Sequence, residues 1–163
     1  MISRRLSREA GHRRKFLAVI DETPECERAV AYGARRARAT GGTLVMLYVI
    51  EPGEFQHWLG VEQIMRAEAQ ETAENQLAQF SSRVREEVGI EPERVVREGV
   101  TSEEILKLID EDRDIAVLVL AAGSGKEGPG PLVQSLAGRG ATFPIPVTVV
   151  PQSLSNEDME AVA

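Results

Sequence analysis

The sequence predicts a doubly wound α/β fold, a three-layer sandwich with helices on both faces of one parallel, five-stranded sheet. Two features carry this prediction. Short runs that are apolar throughout, such as Phe16-Leu17-Ala18-Val19-Ile20 and the stretch from Ile115 to Ala122, have the pattern of strands buried on both faces. They alternate with segments long enough to be helical crossovers, and such connections between parallel strands run right-handed. At 163 residues the chain is most simply one domain, able to bury roughly 68–70 % of the surface its unfolded form exposes.

The first strand, Phe16 to Ile20, ends at Asp21-Glu22-Thr23-Pro24, a helix-start signal. Thr23 can cap, Pro24 suits the first helical position, and Glu25 and Glu27 complement the positive helix end. Small and apolar residues at Cys26, Ala29, Val30, Gly33, Ala34 and Ala37 then mark one helix face, and Gly41-Gly42 stops the helix. Cys26 belongs to that packed stripe. Thr43 to Ile50 is the second strand, and Glu54 to Gly60, with Phe55, His57 and Trp58, reads as a connecting loop. Ala73, Leu77, Phe80, Val84 and Val88 mark a long helix that Gly89 terminates. Arg94 to Glu98 is a third strand whose charges suit a sheet edge. Thr101-Ser102-Glu103-Glu104 has the form of a capping box, with Ile105, Leu106, Leu108 and Ile109 on the packed face behind it. Ile115 to Ala122, the most apolar run, predicts a central strand. Leu132, Val133 and Leu136 fit a short helix, and Val147 to Val150, bracketed by prolines, is the fifth strand.

Charge divides the chain into three parts: an arm at 1–14, a body at 15–151 and a polar tail at 152–163. Residues 1–15 hold six basic groups against Glu9 alone, which leaves 13 basic and 25 acidic residues elsewhere, a net charge near −12. An acidic body disfavours nonspecific nucleic-acid binding. The arm and tail are expected to be solvated and frayed. No apolar run reaches the ~18–20 residues of a membrane helix, and no apolar core follows the N-terminal arginines as in a secretory signal. A lone cysteine fits a reducing compartment, so the cytoplasm is the expected location.

The chemistry-bearing feature is the loop that begins at Gly123, just past the fourth strand. Ligands of parallel sheets bind beyond the carboxyl ends of the strands, where glycine amides approach anions closely. Gly123, Ser124, Gly125, Lys126 and Gly128 are therefore candidate phosphate contacts. The loop is not a Walker motif, because position 120 is Leu and position 127 is Glu where Gly and a magnesium-binding hydroxyl are required. Asp21, at the end of the first strand, is either a second capping acid or an acceptor for ribose hydroxyls or an adenine amine. Two histidines and one cysteine, far apart, give no metal-ligand spacing, and neither Ser124 nor Ser135 has a recognisable base.

From Lys15 to Pro151 the chain resembles the universal stress protein family. The resemblance is carried by Phe16 to Asp21 with Glu27-Arg28-Ala29, by Leu47 to Ile50, by Gly99 to Ile105, and by Pro146 to Val150. It implies an adenine nucleotide alpha hydrolase-like, Rossmann-like sheet of order 3-2-1-4-5 and a homodimer paired through Val147, Thr148, Val149 and Val150. Pairing would also cover an apolar edge strand. By the same resemblance Asp21 and the backbone of Val49 contact ribose and adenine. Gly125, Gly128 and Gly138 reproduce the glycine spacing of the ATP-binding branch, but Arg139 stands where that branch has Ser or Thr. Only seven residues separate Gly138 from Pro146, too few for the three-turn helix that follows in those relatives.

These observations predict a dimeric, non-catalytic stress-response protein that binds an adenine nucleotide (ATP, ADP or AMP, with Mg²⁺ accompanying ATP). The alternative is a nucleotide-free interaction module of the same fold, presenting the altered loop and Phe55–Trp58 to unidentified protein partners.

Overall fold

In the computed structural model of the chain, residues 3–52, 60–126, 128–137, 139 and 142–163 are described. Gly138, Glu127 and the segment Phe55–Trp58, all weighed above, lie outside them.

The apolar runs become strands and the periodic segments become helices. Strands β1 (Lys15–Ile20), β2 (Thr43–Ile50), β3 (Glu93–Glu98), β4 (Ile115–Ala122) and β5 (Val147–Pro151) alternate with helices α1 (Cys26–Thr40), α2 (Val61–Glu87) and α3 (Thr101–Glu111). A short π-helical segment, Val133–Ala137, lies between β4 and β5, and helix α4 (Asn156–Val162) follows β5. All neighbouring strands pair in parallel, in the order β3-β2-β1-β4-β5. The centre of the sheet is thus β1, with β4 beside it, and not β4 itself; both are interior strands, so apolarity alone does not rank them.

Alternation along each strand feeds two cores. Phe16, Ala18 and Ile20 of β1, with Leu44 and Met46 of β2, pack with residues of α1 and α2, including Ala34 and Leu77. Leu17, Val19, Val45 and Leu47 face the other way, against Ile105 and Ile109 of α3 and Leu136 of the π-helical segment. Full burial of such side chains contributes about 1.5–3 kcal/mol each. Helix α1 ends where its sequence predicts: Gly41 adopts a left-handed φ of 65° and its N–H reaches back to the last turn.

Four expectations need correction. Thr23 does not cap α1; its hydroxyl and N–H both donate to Asp21 Oδ1, closing a turn at the end of β1. Thr101 does not form the capping box, because α3 begins at Thr101 itself and the hydroxyl donates to Glu51 Oε1 at 2.8 Å. The basic arm is docked from Ser3 onward. Arg5 donates to the carbonyls of Ile109 and Ile115 at 2.6 and 3.1 Å, and Leu6 N–H to that of Arg113 at 2.8 Å. The guanidinium thereby serves the Ile109 carbonyl, which the end of α3 leaves unpaired, together with the first carbonyl of β4. The polar tail likewise folds back as α4: Ser155 caps it, and Met159 is fully buried against the sheet-facing side of α1. α2 is also longer than its apolar stripe, because its first turns are mostly exposed and carry no packing signal.

Candidate functional site

The carboxyl edge of the sheet carries two wide clefts and a narrow crevice between them. β1 hands the chain to Asp21, β2 to Glu51, and β4 to Gly123. Over the ends of β1 and β2 lies a cleft of about 530 Å³, a size typical of small-molecule sites. Its floor is apolar (Val19, Ile20, Val49, Ile50), Pro131 lines one wall, and its polar lining includes Asp21, Glu51, Thr72 and Thr101. A second cleft, about 650 Å³, runs along the glycine loop past Thr23, Glu25, Gly123 and Gln134. Between them, at the ends of β1 and β4, Pro131 and Val133 reduce the crevice to about 20 Å³, space for a water molecule or so.

Asp21 is the residue most clearly built into the site. Its Oδ1 accepts from the Thr23 N–H at 2.9 Å and from the Thr23 hydroxyl, and its Oδ2 accepts from no described residue. The capping reading of Asp21 is not met, since α1 has no side-chain cap; one oxygen closes the turn before the helix, and among the described residues the other has no donor. Val49 lies beside it in the same cleft. Tyr48, Glu51, Thr72, Thr101 and Pro131, which the sequence did not single out as site residues, complete it. Glu51 directly follows the second strand, so its place at the rim was readable; Thr72 lies on a stretch of α2 with no apolar stripe to orient it.

The glycine loop is less open than its composition suggests. The Gly123 N–H donates to the Pro129 carbonyl at 2.9 Å and the Gly128 N–H to that of Gly125 at 3.2 Å. Ser124 donates through both N–H and hydroxyl to Gln152 Oε1, at 2.9 and 3.1 Å. Gly125 and Lys126 are exposed, and Lys126 lines neither cleft. The loop thus brings Gly123, Ser124, Gly125 and Gly128 to the second cleft, with Lys126 exposed beside it and not in its lining. Glu25, read in the sequence only as a complement to the helix end, is 8 % exposed, and its Oε1 packs against Gly123 and Gly130. Gly130, at φ +108°, could carry a side chain there only with strain.

Cys26 lines the narrow crevice; burial pushes its thiol up to about 11, so it is protonated and inert near neutral pH. In an adjoining groove between α1 and α2, Arg83 lies 3.8 Å from Glu27. Among the described residues no group of three or more His, Cys, Asp and Glu is placed to hold a metal ion, and no helix is long and apolar enough to cross a membrane.

A family model described as the universal stress protein family matches residues 12–151. Universal stress protein UspA from Lactobacillus plantarum superposes with a TM-score of 0.69 at 16 % identity, over 84 % of this chain and 97 % of that one. The universal stress protein from Archaeoglobus fulgidus in complex with dAMP gives 0.57 at 17 % identity, over 84 % and 97 %. A universal stress protein family protein from Arabidopsis thaliana with AMP bound gives 0.58 at 16 % identity, over 85 % and 91 %. No curated protein matches the sequence significantly.

Proposed function

The chain belongs to the universal stress protein family, and from that premise we propose that it binds a ligand carrying an adenosine moiety in the cleft over β1 and β2. The observation that carries the reading is the roughly 530 Å³ cleft with a half-engaged Asp21 carboxylate on its wall. An aromatic base fits its apolar floor, where the Val49 backbone can meet the base edge, and Asp21 Oδ2 is an acceptor for ribose hydroxyls. The dAMP and AMP bound by two structural relatives support the choice of base. In this reading the protein acts as a sensor or accessory factor, in the cytoplasm and as a homodimer through β5.

Chromatography of heat-denatured, freshly purified protein tests this, together with calorimetry using adenine and guanine compounds. Adenine compounds should be released or bound, and guanine compounds should bind at least tenfold more weakly. Absence of adenine binding would leave the nucleotide-free interaction module, which the internally bonded glycine loop favours.

A further inference from the structure

We propose that the site takes its adenosine moiety without a phosphate chain, selecting the nucleoside over the nucleoside triphosphate. The inference rests on the adenosine reading above and concerns what the 5′ end of the ligand meets.

Much of what would hold a phosphate is engaged within the protein or reversed in sign, with Gly125 and Lys126 left exposed at the rim. The amides of Gly123, Ser124 and Gly128 are bonded within the protein, and Pro129 and Pro131 have none to offer. In the hollow they frame stands the Glu25 carboxylate. An added Cβ would lie 3.0 Å from its Oε1 at Gly123 and 3.1 Å at Gly130, and no described residue donates a hydrogen bond to it. The charged residues lining the first cleft are Asp21, Glu22 and Glu51; in the second, Glu25 is the charged one among the described residues. Arg83, in the adjoining groove, is paired with Glu27. A polyphosphate would thus add negative charge where acids already converge, with no cation among the described residues that line either cleft.

Glu25 also indicates what does fit. Its carboxylate lines the second cleft with no described donor yet is not sealed from solvent, so it can accept from a ligand group that reaches it. The two clefts share Thr23 and Pro131 as a common wall, with Glu25 just beyond on the loop side. A nucleoside 5′-hydroxyl in the first cleft can donate toward that wall, whereas a phosphate dianion brings only acceptors. ATP with Mg²⁺, expected from the sequence, does not fit this lining.

Titration calorimetry on the full chain with adenosine, AMP and ATP, the last with and without Mg²⁺, tests the proposal in wild type and Glu25→Gln. Adenosine is expected to bind at least tenfold tighter than ATP in either condition, and Glu25→Gln to shrink that ratio at least threefold by improving ATP binding. ATP or its Mg²⁺ complex binding wild type as tightly as adenosine would overturn the inference while leaving the adenosine site standing. So would an unchanged ratio in a Glu25→Gln variant with a wild-type circular dichroism melt. Binding of no adenine compound at all would overturn the adenosine reading and this inference with it.

Discussion

In the proposed function Asp21 would join folding and binding within one carboxylate. Oδ1 closes the turn that follows β1 by accepting from Thr23, and Oδ2, which has no donor among the described residues, is the oxygen proposed to meet a ligand. The two roles separate by substitution. Asp21→Asn retains an oxygen for the turn and should leave the urea midpoint nearly unchanged while weakening adenosine binding tenfold or more, the measure of a lost hydrogen bond to a charged group. Thr23→Val should do the reverse, lowering stability by about 1 kcal/mol with a smaller effect on affinity. Cys26 gives a second residue-scale test. Its folded thiol ionises near 11 because burial disfavours the thiolate, against an ordinary value of 9.0. The unfolded chain therefore loses its proton first, and stability should be intact below pH 9 and fall as pH rises from about 9 to 11. Urea midpoints across that range should show a fall that a Cys26→Ala variant lacks.

At the scale of elements, α1 ties the sheet to the C-terminal helix. Arg28 donates to the Leu154 carbonyl and to Asn156, Arg35 and Arg38 reach Glu160, and Met159 inserts beneath them. None of this was legible in the sequence, because the signal is spread over partners more than 120 residues apart and α4 has only seven residues in which to show a period. The arm hid for a related reason: six basic groups suggest solvation until Arg5 is seen serving backbone carbonyls. What was legible were the elements whose pattern arises from local burial, β1, β2, β4 and the packed half of α2. Met159→Ala should cost about 2–5 kcal/mol in urea unfolding if α4 melts with the body; an unchanged midpoint would mean that the helix detaches independently. Acid should weaken the same joint. Bidentate bonding to Arg28 holds the Glu27 carboxyl below its ordinary 4.5. That contribution is complete above about pH 4.5 and is lost as pH falls through the depressed folded value. The stability difference between wild type and Glu27→Gln should therefore be present at pH 7 and shrink below pH 4.5.

For the whole molecule, each margin of the sheet is finished differently. The N-terminal segment docks where α3 turns into β4, at the amino edge, and the carboxyl edge carries the clefts. Strand order was not readable from periodicity, which reports that a strand is buried and not which strand lies beside it; the family resemblance supplied 3-2-1-4-5. The two lateral strands then contrast. β3 carries Arg94, Arg97 and Glu98, the kind of charge that keeps an edge from pairing. β5, Val147–Pro151, carries none, and Val149 on it is 40 % exposed, while Val150 is buried in the core with α1 and α4. Of the four residues expected at a dimer interface, Val150 thus serves the fold, and exposed Val149 is the better lever. A second β5 across a two-fold axis would satisfy such an apolar outer edge, which is the dimer proposed above. Light scattering on the purified chain should give the mass of a dimer, and Val149→Lys should shift it to the monomer. Because β5 does not line the cleft over β1 and β2, the monomeric variant should bind adenosine with wild-type affinity; a parallel loss of both would mean that the second copy completes the site.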